Sequence, residues 1–410
     1  MQTTNQRTGP QAKRRHTFRA RYSVASMAAI LAVAACSSST NSNTAASSTG
    51  ADSGSSAASN TGADSGTSAA SNTGADSGTS GGSNSVSQSV QGKNILVVPY
   101  WLDNFNQAFT SWLKRDYEAQ GATVTVINSN ANTKTQLDAL DTAISSKKYD
   151  GVIWAPVDVT IAPTTIKRLQ DAHIPVIISA GPPLPAGTGG VTVPQTINEN
   201  KSVGKPIGAA AAKFVAEHFP GKPPSIFYVG DNPLSTNCKD REQGFVDGVK
   251  AVNPAATVVA TLGALNQNDA NSKVSNFISR NIYFNIVGSC GGALGLGSIS
   301  ALNAAGRGKA VNKVPQTEWI MTMDASPPEL QYLWSPTSSV MMSALVGPKT
   351  TATEAEKLLN KVIFKEIAPN ADVTSVVPYE PVTSDCAAER AKVQTQYQGV
   401  PGFTVPKCTN

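Results

Sequence analysis

The chain has 410 residues with 33 Gly, 25 Pro, 5 Cys and only 3 His, and its formal charge is +5. That charge is local: residues 1–35 hold Arg7, Lys13, Arg14, Arg15, Arg19 and Arg21 with no acidic residue, leaving 27 basic against 28 acidic residues after them. The near-neutral remainder argues against a nucleic-acid binder, which needs a basic surface to displace counterions. No later run of 18 apolar residues suggests a polytopic membrane protein, and with His16 in the leader only His173 and His218 remain for histidine-based metal sites or catalysis.

In chain order, residues 1–35 read as an export signal, basic up to Arg21 and then apolar over 24–35, a run too short to span a bilayer. The run ends in LAVAAC at 31–36. This resembles the lipobox of bacterial lipoproteins, which implies cleavage before Cys36 and acylation of its thiol. An ordinary signal peptide with an incidental cysteine is the plainer alternative. Arg14-Arg15 hints at twin-arginine export, although the hydrophobic spacing after the pair fits poorly. Residues 48–59, 60–71 and 72–83 (STGADSGSSAAS, NTGADSGTSAAS, NTGADSGTSGGS) are one unit in three copies. The units have no Leu, Ile, Val or aromatic residue to bury, so nothing offsets the entropy of ordering them. Residues 36–92 therefore read as a disordered tether with an r.m.s. reach of about 40 Å, its Ser and Thr open to O-glycosylation.

From residue 93 short β-branched runs alternate with longer amphipathic ones. Strands are predicted at 94–98, 123–128, 151–155 and 175–179, with helices at 105–120, 133–146 and 161–172 between them. The alternation restarts with helices at 203–218, 239–252, 268–280 and 292–305, and strands at 225–229, 257–262, 282–287 and 319–323. Continuous apolar strands separated by helices mean parallel β-α-β units with helices on both faces. The expected fold is α/β, two doubly wound parallel-sheet units of similar size. Ligands of such sheets bind beyond the carboxyl ends of the strands.

The residues at those ends carry a resemblance. NILVVPYWLDNFNQAF (94–109), YDGVIWAPVD (149–158), AHIPVIISAG (172–181), NENKSVGKPIG (198–208), KDREQGFVDGV (239–249) and TMDASPPEL (322–330) occur in order. Together they are similar to the type I periplasmic sugar-binding proteins, the ribose-binding-protein branch of ABC-importer receptors. The resemblance implies two lobes joined by a three-strand hinge, closing on a sugar. It places an N-terminal lobe at 93–197 plus 346–374 and a C-terminal lobe at 198–345 plus 375–410.

Sugar recognition calls for planar polar groups on hydroxyls and aromatic faces on C–H surfaces. The resemblance nominates Asp103, Phe105 and Asn106 in the first ligand loop, although Asp103 can equally cap the following helix and Phe105 can be core. Trp101 shares that loop, and Trp154 lies near a strand end, where core packing competes with ligand contact. Lys239 aligns with the family's second-lobe arginine, with Arg241 the neighbouring candidate, and Asp324 matches the aspartate after the hinge strand. The departures are as informative. Ala180-Gly181 stand where the family commonly has Asp-Arg, Cys290 where it has Asn-Asp, and a family glutamine is missing near Ala344. A simple pentose or hexose held in the usual way is thereby in doubt; a modified sugar, a polyol or another small molecule is open.

With Cys36 lipidated, four cysteines remain, and an even number in an exported chain favours disulfides. Three pairings are possible. Cys238–Cys290 is favoured because both follow second-lobe strands on the cleft side, and Cys386–Cys408 because both lie in the C-terminal tail. Zinc lacks a CxxC or a nearby His. The sequence GSCGG at 288–292 superficially resembles a nucleophile elbow, but no His follows His218. No P-loop or HExxH occurs, and GGALGLG lacks GxGxxG order. The expectation is therefore no enzyme, no cofactor and no metal. The expected protein is a monomeric extracytoplasmic lipoprotein, anchored to the bacterial cell membrane, that delivers a sugar or polyol to an ABC permease. A receptor of the same fold that signals to a membrane sensor is the alternative.

Overall fold

The computed structural model describes residues 88–231 and 235–408. The expected leader, Cys36 and nearly all of the tether lie outside the described residues. The folded part begins slightly before residue 93. Val90 is buried, and the Lys93 N–H donates to its carbonyl.

The first sheet is built from β1 (Asn94–Val98), β2 (Thr123–Val126), β3 (Gly151–Trp154), β4 (Val176–Ile178) and β5 (Gln195–Asn198). Helices α1 (Asn104–Ala119), α2 (Thr133–Ser146) and α3 (Ala162–Asp171) connect the first four strands. The second sheet takes β6 (Ser225–Gly230), β7 (Thr257–Gly263), β8 (Ile286–Ser289), β11 (Trp319–Met323) and β12 (Val340–Val346). Its helices are α4 (Asn200–His218), α5 (Thr236–Val252), α6 (Gln267–Ile278), α7 (Gly292–Ala304) and α8 (Pro327–Leu333), with a small hairpin of β9 (Ala310–Val311) and β10 (Val314–Pro315) before β11. The chain then continues through α9 (Pro348–Ile363), β13 (Thr374–Val377), β14 (Tyr379–Thr383) and α10 (Cys386–Tyr397).

The strand orders are β13-β5-β4-β3-β1-β2 and β14-β12-β11-β8-β6-β7. Each is a 2-1-3-4-5 winding with one added edge strand. All pairs are parallel except β12 with β14. Strands such as β3 and β6 are buried along their whole length because helices cover both faces. In the second lobe the core fills with stacked rings: Phe227 and Phe277 centroids are 4.4 Å apart, and Phe284 lies 5.2 Å from Phe227. Burying each ring contributes about 2–3 kcal/mol.

The chain passes between the sheets three times, after β5, after β12 and at Pro378. The last pass differs from the expected boundary at 374. Residues 374–377 still pair in parallel with β5 in the first sheet, and only β14 joins the second. The tail also does not belong to the second lobe alone. Trp112 of α1 donates its Nε1 proton to the Gln396 carbonyl of α10 at 2.7 Å, so the last helix ties back to the first lobe. One strand start moves as well: β8 begins at Ile286, not 282. Asn281 is left-handed, Phe284 is a core plug, and the Asn285 side chain is taken by the Ser225 N–H. Both disulfides have the expected partners, Cys238–Cys290 with Cα atoms 5.3 Å apart and Cys386–Cys408 with 5.6 Å.

One packing contact sets the geometry of the second lobe's site. Gly204 and Gly208 of α4 face Gly244 and Gly248 of α5. A Cβ at Gly208 would stand 2.1 Å from the Phe245 carbonyl, and one at Gly244 would stand 2.0 Å from that of Lys201. Only glycine lets the two backbones come this close, and their approach brings Asn200 and Arg241 within hydrogen-bond reach.

Candidate functional site

Both windings reverse direction between their first and third strands, where loops diverge and leave a crevice. The loop after β1, the loop after β4, the start of α5 and the turns after β8 and β11 converge there on one cavity of about 100 Å³.

From the first lobe comes Tyr100–Asn106. Asp103 is the N-cap of α1, its Oδ1 accepting the Asn106 N–H at 2.8 Å and the Asn106 Nδ2 at 3.0 Å. Its Oδ2 accepts the Trp101 indole N–H at 2.8 Å. The residue that caps α1 thus also lines the cavity. Burial raises the Asp103 pKa above its usual value. Phe105 reaches the cavity rim while packing near Phe109. Asn106 is 4% exposed, and its Oδ1 has no hydrogen-bond partner. Ala180, Gly181 and Pro182 form a wall without side-chain donors.

The second lobe is organised around Arg241. Its Nε donates to Asn200 Oδ1 at 2.9 Å, its Nη1 to the Cys290 carbonyl at 2.7 Å, and its Nη2 to the Tyr379 hydroxyl. The Tyr379 hydroxyl in turn donates to Asn200 Oδ1 at 2.7 Å, and Asn200 Nδ2 to Asn237 Oδ1 at 2.9 Å. Asn200 follows the first crossover and Tyr379 follows the third, so this arginine is tied to two hinge segments. Burial works against its charge, but the Tyr379 oxygen and the Asp324 carboxylate outweigh that and hold its pKa above the usual value. The Cys238–Cys290 disulfide lines the cavity beside it and joins α5 to the loop after β8.

Asp324 ends β11 in a left-handed conformation (φ 79°) that is followed by a left-handed Ala325. Such backbone is uncommon outside glycine and concentrates at functional sites. Its Oδ2 accepts the Gly292 N–H at 2.7 Å, and its carbonyl accepts the Tyr397 hydroxyl at 3.0 Å. Burial, with the Asp103 charge adding to it, raises its pKa to about 6. Behind it lies Glu329, fully buried and closing a capping box on α8. Glu329 Oε2 accepts from the Ser326 N–H at 2.9 Å and from the hydroxyl at 2.6 Å. Burial and the neighbouring Asp324 push its pKa to about 8, so it is mainly neutral at pH 7. Gly292 is required between the two acids: a Cβ there would fall 2.5 Å from Glu329 Oε2. The lobes also touch directly, through Asn104 Nδ2 donating to Ser326 Oγ at 3.2 Å.

Of the nominated residues, the structure gathers Trp101, Asp103, Phe105, Asn106, Arg241 and Asp324 around the cavity. Two nominations are corrected. Trp154 is fully buried in the first lobe's core, its indole N–H donating to Gln136 Oε1 at 3.1 Å, because the inward face of β3 packs against helices rather than the cleft. Lys239 is exposed and does not line the cavity. It lies two residues from Arg241 on a 3.6-residue helix, so it faces the other side. Plain alignment missed Asn200, Asn237, Tyr379 and Glu329. Asn200 sat inside a quoted motif, but Tyr379 lies in a segment with no predicted element.

A family model described as a periplasmic binding protein domain matches residues 95–366. No curated protein matches the chain in sequence. Among solved structures, a galactofuranose binding protein is 18% identical with TM-score 0.64, the match covering 75% of this chain and 99% of that one. The periplasmic binding protein component of the arabinose ABC transporter from Shewanella sp. ANA-3, bound to α and β-L-arabinofuranose, is 17% identical with TM-score 0.63, over 77% and 100%. An ABC transporter solute binding protein from Bacillus halodurans C-125 with bound myo-inositol is 18% identical with TM-score 0.60, over 74% and 98%. At these identities the structural likeness speaks for the fold, and the family model speaks for descent. With two like-wound lobes, three crossings and a polar cavity between them, the chain belongs to the periplasmic binding protein domain family.

Proposed function

We propose that the chain is an extracytoplasmic solute-binding lipoprotein, not an enzyme, that captures a sugar or polyol between its lobes and delivers it to an ABC permease. The observation that carries this reading is the cavity at the carboxyl ends of both sheets, where Asp103 and Asn106 of one lobe face Arg241 and Asp324 of the other. The furanose and inositol ligands named for the similar structures support the solute class. The hinge residues Asn200 and Tyr379 bond to Arg241, so a ligand that engages Arg241 bears on the segments that turn during closure. Cys36, through its acyl chains, and the repeat tether would keep the domain within reach of the membrane.

The test is thermal unfolding of the full chain against a panel of neutral sugars, amino sugars and polyols. A ligand at about 100 times its Kd adds about 2.7 kcal/mol, a shift of several degrees. The expected result is such a shift with at least one member, lost on Arg241→Ala. No shift with any member sinks the sugar and polyol assignment.

A further inference from the structure

Asn104 and Ser326 do not line the cavity, yet each stands close in the chain to a residue that does. Asn104 follows Asp103 at the start of α1, and Ser326 lies two residues after Asp324. Between the lobes, Asn104 Nδ2 donates to Ser326 Oγ at 3.2 Å. Both ends of this bond are held by their own lobes. In the second lobe three successive residues are pinned. The Asp324 carbonyl accepts the Tyr397 hydroxyl at 3.0 Å, the Ala325 N–H donates to Ser343 Oγ at 3.1 Å, and the Ser326 N–H donates to Glu329 Oε2 at 2.9 Å. The Ser326 hydroxyl spends its one proton on the same Glu329 oxygen, at 2.6 Å. It therefore meets the first lobe with lone pairs alone, and only a donor suits it. In the first lobe, the Asp103 cap fixes the first turn of α1, from which Asn104 reaches across.

We infer that Asn104 is a positioning residue for ligand binding, the moving half of a latch whose fixed half is Ser326. This rests on the proposal that the lobes close on a solute, and not on which solute that is. Two partners already held in place lose little freedom on meeting, so the bond adds to the closed state. The latch joins the chain neighbours of Asp103 and Asp324, so it sets how far apart the two halves of the cavity stand. A solute that needs both halves binds only as well as the closed fraction allows, and weakening the latch lowers affinity by the fall in that fraction.

The experiment measures distances between the lobes by double electron–electron resonance in the full chain, with no solute added. Spin labels on unnatural amino acids replace Thr142 of α2 and Ser272 of α6, both exposed, which leaves the cysteines alone. The ratio of short to long distances should fall about fivefold in Asn104→Ala, the worth of one neutral hydrogen bond. It should fall further in Asn104→Asp, which sets an acceptor against an acceptor. The Asp variant separates a latch from a residue that only serves its helix. A carboxylate in the first turn of α1 favours the helix, so a purely structural role would leave that variant like the wild type. A wild-type distribution in either variant overturns the latch. The sugar and polyol reading stands or falls separately, with the thermal panel.

Discussion

The two lobes build their halves of the cavity differently. The first lobe's aromatic and acidic groups come from one stretch, Tyr100–Asn106, held by a helix cap that forms within four residues, with Ala180, Gly181 and Pro182 beside it as an apolar wall. The second lobe gathers Asn237 and Arg241 from the start of α5 and Cys290 and Asp324 from the turns after β8 and β11, and joins them with a disulfide, a close glycine contact and hydrogen bonds to both hinge segments. A local half should tolerate damage elsewhere in its lobe. A gathered half should lose its site whenever one fastening is cut.

The sharpest break of this contrast is replacement of both Cys238 and Cys290 by Ser. The enclosed loop spans 52 residues, so the loss should be about 4 kcal/mol, with ligand affinity weakened in the same protein. Opening Cys386–Cys408, whose loop spans 22 residues, should cost about 3 kcal/mol yet leave affinity nearly intact, because neither cysteine lines the cavity. Denaturant unfolding and titration of both variants separate the two outcomes. Equal effects on binding would erase the distinction.

Gly244→Ala comes next. The added methyl meets the Lys201 backbone, and overpacking of this kind should cost about 3 kcal/mol, read as a lowered denaturant midpoint. Arg241→Met should leave the fold in place but strip Asn200, Tyr379 and the Cys290 carbonyl of their shared donor. Binding should fall about a hundredfold, equivalent to about 2.7 kcal/mol, whereas Trp101→Phe in the local half should fall by less than tenfold.

Glu329 gives a pH test. Its folded pKa is about 8 against an ordinary value of 4.5, so the native state holds a proton that the unfolded chain releases between those values. Stability from this group is therefore greatest below about pH 4.5 and is lost as pH rises toward 8. Asp324, raised to about 6, acts in the same direction over a narrower window. Thermal midpoints should fall more steeply with pH in the wild type than in Glu329→Gln; parallel curves would refute the assignment. The smallest effect belongs to Lys239→Ala. With its side chain on the outer face of α5, stability should move by less than about 0.5 kcal/mol and affinity should not move.

Much of the architecture was legible in the residues themselves. Apolar strand runs with helical spacing between them placed β1, β3, β6, β11 and most connecting helices to within a few residues, because burial on both faces leaves a continuous hydrophobic signature. The cap of α1 by Asp103 was legible for a local reason, since a cap is a short-range object, whereas Asp103, Phe105 and Asn106 were nominated as ligand residues by the resemblance alone. The segment after β11 was not legible. The strands β12, β13 and β14 derive their pairing from sheets made elsewhere in the chain, and β14 runs antiparallel at an edge with exposed residues, so no period marks it.

What the tertiary structure alone decided is which polar side chains meet. Periodicity cannot say that Tyr379 and Asn200, 179 residues apart, share a hydrogen bond. Helix phase puts Lys239 and Arg241 on different sides of α5, but it cannot say which of the two meets the cleft. Trp154 shows the reverse case, a large aromatic near a strand end that the packing of α2 claimed for the core through Gln136. Covalent order determined the strands, caps and cysteine count; the cavity arises only when separate loops and helix ends are brought together by burial.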